Sequence, residues 1–352
     1  MFASSPAARS RYFGRTGVLS RIGAAAAFAF AACVPTFAHA APAAQVTLDY
    51  AYYSPESLVI KQQGWLEAAL APEHTQVKWI LSLGSNRALE YLNSGAIDIG
   101  SSAGLAAVLA KANGNPIKAV YVFSRPEWTA LVVGRQSPIR TLADLKGKKI
   151  AATVGTDPFL FTLRALHTIG LGREDVELVN LQHPDGRTAL AKGQVDAWAG
   201  LDPHMAAAQV DDGARLLYRN VDYNTYGFLN AREDFIKAHP ETLTAVLKVY
   251  DKARVWVIAH PAETARILAE ASKVSLPVAQ LQLSRNDFSQ PVPGATQAAA
   301  LKAAAPILLQ ENLVRPGTQP DRVIDALIDG EFARSVAPAA VTPAATAHAA
   351  SQ

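Results

Sequence analysis

Half of the 352 residues are hydrophobic and 18% are charged, a balance that supports a large core and excludes extended disorder for most of the chain. Basic residues number 33 against 30 acids, but Arg9, Arg11, Arg15 and Arg21 lie in the first 40 residues, which hold no acid or lysine; without those four the formal charge is −1. No basic patch of the kind nucleic-acid binding requires is expected, and the single cysteine, Cys33, lies in the same segment, so the remainder can form no disulfide, thiolate metal site or thiol nucleophile.

The four arginines precede an apolar run from Ile22 to Val34, too short to span a bilayer, and Ala38-His39-Ala40 fits a small-x-small cleavage site. Residues 1–40 therefore read as a secretory signal peptide, with Ala41 as the new N-terminus of a chain exported to the periplasm. The competing reading is a retained anchor, and a lipid on Cys33 is disfavoured because no aliphatic residue stands three before it.

From Gln45 onward, strand and helix signals alternate. Val46, Leu48 and Tyr50 alternate with polar residues as a strand does, and Ser54-Pro55 opens a helix that Gly64 ends. Val77 to Leu81 is a strand, Gly84-Ser85-Asn86 starts a helix that Gly95 ends, Ile97 to Gly100 is a short strand, and Ala103 to Asn113 is a helix. Strands are expected over Ile117 to Phe123, Thr129 to Val133, Lys149 to Val154, Val176 to Leu181, Val195 to Ala199 and Arg215 to Tyr218, with a helix from Pro158 to Ile169. After Asn230 the strands stop and helices begin near Glu233, Pro240, Ala262, Pro277, Ala295 and Pro320. The Ala/Pro-rich stretch from Val336 reads as a disordered tail. Strands alternating with helices predict an α/β fold with parallel-rich sheets.

One pattern occurs twice: Leu92-x-x-Gly95-x-Ile97-Asp98 and Leu190-x-x-Gly193-x-Val195-Asp196. Each reads as helix end, glycine cap and a short buried strand, with a polar loop beyond it. Two such units suggest two lobes facing one cleft, since open α/β sheets bind ligands at the carboxyl ends of their strands.

Four strand-to-helix loops place hydroxyls beside unpaired amides at a helix start: Tyr52-Tyr53-Ser54-Pro55, Leu83-Gly84-Ser85-Asn86, Gly100-Ser101-Ser102-Ala103 and Gly155-Thr156-Asp157-Pro158. Such ends attract anions, though the same residues also serve as ordinary caps. Asp202 before Pro203 suits a ligand ammonium or hydroxyl, or a helix cap; Glu127-Trp128 offers a carboxylate and an aromatic wall, or an edge loop with a packed tryptophan. Catalytic signals are poor: there is no zinc-binding histidine pair, no nucleophile elbow, no phosphate loop and no dinucleotide fingerprint, and His183 reads as a structural histidine rather than a general base. No cofactor or metal is expected.

These stretches, with Ser82 to Leu89, Gly95 to Gly104, Ala112 to Ile117, Ser137 to Lys149 and Val195 to Pro203, resemble the aliphatic-sulfonate, taurine and nitrate branch of periplasmic substrate-binding proteins for ABC importers. The aliphatic-sulfonate subgroup is the most similar. The resemblance implies the type II periplasmic binding protein fold, with two α/β lobes joined by two crossing strands near Thr129 to Val133 and Tyr223 to Phe228. The lobes would be 41–129 with a helical 226–335, and 130–225. It places ligand contacts on Tyr53 and Ser54, Ser85 and Asn86, Ser101 and Ser102, Thr156 and Asp157, and Asp202; Glu127 and Trp128 are added because they precede the first crossing, with Phe159 beside Trp128 for the ligand's tail. The implied role is a non-catalytic, monomeric binding protein that delivers an organosulfonate to the permease subunits. Nitrate, taurine, a sulfate ester, an aryl sulfonate or an aromatic carboxylate remain alternative ligands. Enzymes of this fold, a desulfinase and a thiamin-pyrimidine synthase, are associated with catalytic cysteines that the exported chain lacks.

Overall fold

The computed structural model describes residues 42–337, so the segment read as a signal peptide and all but the start of the C-terminal stretch lie outside the described residues. The first sheet is laid down by β1 (Gln45–Tyr50), β2 (Gln76–Leu81), β3 (Ile99–Ala103) and β4 (Ile117–Pro126). The chain then crosses to a second sheet of β5 (Leu131–Val133), β6 (Lys149–Ala151), β7 (Glu177–Val179), β8 (Ala197–Ala199) and β9 (Arg215–Tyr218). It returns through residues 219–226 to complete the first sheet with β10 (Gly227–Arg232) and β11 (Asn286–Asp287). The sheet orders are β11-β4-β10-β3-β1-β2 and β7-β6-β8-β5-β9. Within each sheet four strands run one way, β1 to β4 in the first and β6 to β9 in the second, and the inserted strand is antiparallel to both its neighbours: β10 against β3 and β4, and β5 against β8 and β9.

The helices are α1 (Pro55–Gln63), α2 (Trp65–Leu70), α3 (Ser85–Ser94), α4 (Gly104–Ala112), α5 (Asp157–His167), α6 (His183–Ala191) and α7 (His204–Val210). Beyond the second crossing lie α8 (Glu233–Ala238), α9 (Pro240–Ala259), α10 (Pro261–Ser272), α11 (Leu276–Leu283), α12 (Ala295–Ala304), α13 (Pro306–Gln310), α14 (Pro320–Leu327) and α15 (Glu331–Val336). Proline sits in the first turn of eight of them, α1, α5, α6, α9, α10, α11, α13 and α14, where its missing N–H leaves no helical bond unmade. The strand signals cease after β10 as the sequence implies, except for the two-residue β11, which pairs with Pro126 and Arg125 at the end of β4.

The repeated pattern has one physical cause. Gly95 and Gly193 both adopt left-handed φ, +73° and +66°, to end their helices. Asp98 then exchanges bonds with Thr47 of β1, its amide donating to the Thr47 carbonyl at 2.8 Å and its Oδ2 accepting from the Thr47 amide at 2.9 Å. Asp196 does the same with Lys149 of β6, at 2.9 Å in both directions. In each lobe an aspartate thus pins the first residues of a neighbouring parallel strand.

Two boundaries differ from the sequence reading in a way that matters for the site. β3 begins at Ile99 and continues through Ala103, so Ser101 and Ser102 belong to the strand rather than to a loop after it. β4 extends to Pro126, so only Glu127 to Ala130 connect it to β5.

Candidate functional site

The carboxyl ends of β1 and β2 and the start of α3 supply one wall of the cleft. Ser54 is fully buried, and its Oγ has no hydrogen-bond partner. Gly84 precedes α3 with extended φ of 174° and offers no side-chain cap, so the amides at the α3 start lack partners within the helix. Ser85 Oγ accepts the Ala103 amide at 3.0 Å, and Asn86 Oδ1 is a second buried acceptor without a partner.

Ser101 and Ser102 behave differently. The Ser101 amide donates to Asp49 Oδ1 at 2.8 Å and its hydroxyl to Asp49 Oδ2 at 2.7 Å, so both Ser101 donors point into lobe 1. Burial pushes the Asp49 carboxyl up to about 7 against the pull of those two bonds. Tyr53 packs over the pair, its hydroxyl 3.3 Å from both the Ser101 carbonyl and Oγ. Ser102 Oγ donates to the Ala103 carbonyl at 3.1 Å and accepts Asn230 Nδ2 at 2.8 Å. The α4 start is closed as well: the Gly104 amide reaches the Thr225 carbonyl at 3.0 Å, and the Leu105 amide reaches Thr225 Oγ1 at 2.9 Å. Only glycine fits at 104, because a Cβ there would lie 2.3 Å from the Thr225 carbonyl oxygen.

The crossings meet the second lobe at Asp157. Its Oδ1 accepts the Thr225 hydroxyl at 2.7 Å, and its Oδ2 accepts the Thr225 amide and the Trp128 indole N–H, both at 3.1 Å. Burial raises the Asp157 carboxyl, opposed by those Thr225 and Trp128 bonds. Trp128 stands edge-on to Tyr53, with ring centroids 5.8 Å apart, and is also packed on Phe123. Thr156 Oγ1 donates to the Thr153 carbonyl at 2.6 Å. Phe159 is buried in the core.

The other two expected carboxylates are also engaged. Glu127 is held bidentately by Arg219, at 2.8 and 2.7 Å. Asp202 Oδ1 accepts the Ala206 amide at 2.8 Å in the first turn of α7, the cap anticipated from Asp202-Pro203. Both its oxygens also meet Arg285 Nη1, at 3.1 and 3.0 Å, and Arg285 Nη2 bonds Gln209 Oε1. Burial still lifts the Asp202 carboxyl to about 6. Arg285 follows α11, so this buried pair ties the helical part of lobe 1 to lobe 2 beside the hinge.

His183 is the residue the sequence reading set aside. It is fully buried at the first position of α6, and its Nε2 has no partner. A Cβ on Gly84 would lie 3.1 Å from that Nε2 and 3.0 Å from Asn86 Oδ1, so the starts of α3 and α6 meet there, one from each lobe. A Cβ on Gly155, whose φ is +81°, would lie 3.5 Å from Asn86 Cβ, so this loop of the second lobe also comes close to Asn86. The structure therefore brings Gly84, Ser85, Asn86 and Gly155 together with His183, while Ser54 Oγ is buried without a partner. It directs the polar atoms of Ser101, Glu127, Asp157 and Asp202 to protein partners. The sequence signal for His183 was its position at a helix start, Gln182-His183-Pro184.

Amides at helix starts supply donors and positive potential from both lobes, and buried acceptors stand beside them. Among the described residues no group of three or more His, Cys, Asp or Glu is arranged to hold a metal ion.

A family model described as NMT1/THI5 like matches residues 71–264. A protein of Escherichia coli (strain K12) named an aliphatic sulfonates-binding protein is 30% identical over 275 residues, covering 75% of this chain and 86% of that relative. The alkanesulfonate-binding protein SsuA of Xanthomonas axonopodis pv. citri, solved bound to MOPS, superposes with a TM-score of 0.74 at 28% identity, over 81% of this chain and 99% of that one. The periplasmic aliphatic sulphonate binding protein SsuA of Escherichia coli gives 0.68 at 28% identity, over 79% and 91%.

Proposed function

Because this chain belongs to the NMT1/THI5-like family, and within it to the substrate-binding proteins of the aliphatic-sulfonate, taurine and nitrate type, we propose that its ligand is an organosulfonate, captured in the periplasm and handed to the permease of an ABC importer. It is a solute-binding protein and not an enzyme, as are the relatives it matches. Among the described residues no helix is long and apolar enough to cross a membrane.

The observation that carries the sulfonate reading is the meeting of the α3 and α6 starts at Gly84 and His183. A sulfonate stays charged throughout the physiological pH range, so a site for it needs no tuned proton. Neutral amides at helix ends suffice, and exclusion of water strengthens each bond. A carboxylate beside the anion would repel it, and Asp157, Asp202 and Glu127 are each taken up by indole, hydroxyl, amide or guanidinium donors. Ser54, Asn86 and the amides of Ser85 and Asn86 are the contacts from lobe 1. Ser101, Ser102, Tyr53, Trp128, Thr156, Asp157 and Asp202 act by shaping and closing the cleft. Contacts from both sides favour the closed state, in which ligand meets both lobes.

A thermal-shift panel of the exported chain, residues 41–352, against alkanesulfonates, taurine, aryl sulfonates, nitrate and sulfate tests this. A ligand binding only the folded protein stabilises it by RT ln(1 + [L]/Kd), about 2.7 kcal/mol at a hundredfold excess over Kd. Sulfonates should give the largest shifts; nitrate or sulfate exceeding every sulfonate would overturn the assignment.

A further inference from the structure

His183 carries chemistry that the anion itself does not use. Its Nδ1 lies 3.3 Å from Thr153 Oγ1. The single hydroxyl proton of Thr153 is committed to the Leu181 carbonyl at 2.6 Å. The Nδ1–Oγ1 bond therefore requires the proton on Nδ1, which leaves Nε2 as a bare lone pair. Burial and the neighbouring His204 hold the His183 imidazole down to about 3, so it stays neutral and Nε2 stays an acceptor at any pH at which the protein works. Asn86 Oδ1, as placed, is a second buried acceptor on the same side of Gly84. Two neutral acceptors with no donor, one from each lobe, stand at a helix start that itself offers only donors.

We infer that a hydroxyl on the ligand shares its one proton between His183 Nε2 and Asn86 Oδ1 in a three-centre bond, so that the preferred solute is an organosulfonate hydroxylated close to its anionic group. This rests on the sulfonate reading above and narrows it. A hydroxyl suits the pair better than an ammonium: both acceptors are neutral, and a buried ammonium needs a carboxylate, whereas Asp157, Asp202 and Glu127 are already paired. A ligand with no donor would leave both acceptors buried and unsatisfied, a penalty that binding sites turn into discrimination.

Calorimetry at pH 7 with ethanesulfonate, 2-hydroxyethanesulfonate and 2-aminoethanesulfonate provides the test. The hydroxylated ligand should bind about ten- to a hundredfold more tightly than ethanesulfonate, and more tightly than the amine. His183→Leu should erase the preference, bringing the hydroxyethane and ethane affinities together; His183→Gln, which can present an amide oxygen, should retain part of it. Asn86→Ala reads the same preference from the other lobe if the buried histidine proves intolerant of replacement. Equal affinities for the ethane and hydroxyethane ligands, tightest binding of the amine, or a preference that survives both His183→Leu and Asn86→Ala would overturn the inference while leaving the sulfonate reading intact. Binding of none of the three, with strong binding of nitrate or sulfate, would remove the sulfonate reading and this inference together.

Discussion

Glu56 gives a quantitative test of the packing beneath the site. It lies in the first turn of α1, is fully buried, and neither carboxylate oxygen has a hydrogen-bond partner. Burial pushes its carboxyl from 4.5 up to about 8, opposed by its own backbone amide and then by the Arg254 charge. The folded protein therefore holds a proton on Glu56 that the unfolded chain releases above 4.5. Because the folded state binds more protons in this window, stability falls as pH rises from 4.5 to about 8 and then levels off. Each pH unit is worth about 1.4 kcal/mol, so between pH 5 and pH 8 Glu56 alone withdraws roughly 3.5 kcal/mol. Glu56→Gln removes the titration and keeps the shape. Urea unfolding of both proteins, followed by tryptophan fluorescence at pH 5, 6, 7 and 8, should show the variant gaining on the wild type by that amount across the series. Other titrating groups cancel in the difference, and any fixed effect of the amide shifts every point equally. A stability difference that stays within about 0.5 kcal/mol from pH 5 to pH 8 would refute the buried, protonated Glu56.

Arg285→Met strands the Asp202 carboxylate in the hinge region and should destabilise by about 3–5 kcal/mol at pH 8, with a smaller loss at pH 5 where Asp202 takes up a proton; denaturant titrations at the two pH values check it. Gly104→Ala drives a methyl into the Thr225 carbonyl and the Phe228 ring, and should cost at least about 1–3 kcal/mol in thermal unfolding. Ser101→Ala deprives Asp49 of a hydroxyl donor and should cost about 1–3 kcal/mol at pH 8 in urea unfolding, shrinking toward pH 5 as Asp49 protonates; a loss of the same size at both would show that Ser101 does not serve Asp49.

The sequence by itself determined the order of strands and helices, because the cues are local. Alternation in Val46 to Tyr50, proline in the first helical turn, and glycines at 95 and 193 act through backbone geometry within a few residues. The doubled Gly-x-Ile/Val-Asp pattern even exposed the two-lobed plan, since each aspartate pins a parallel strand in its own sheet. The loops at 54, 84–86 and 155–157 were legible as helix starts for the same reason. Which of their polar atoms stay free was decided only by tertiary structure. Ser101 is spent on Asp49, 52 residues away; Asp157 on Thr225, 68 away; Asp202 on Arg285, 83 away; and His183 is brought to Gly84 from the other lobe. A hydroxyl at a strand end looks the same in sequence whether it faces a ligand or a buried carboxylate. Long-range packing, not local periodicity, makes that choice, and it leaves His183 Nε2 and Asn86 Oδ1 among the buried acceptors without a donor.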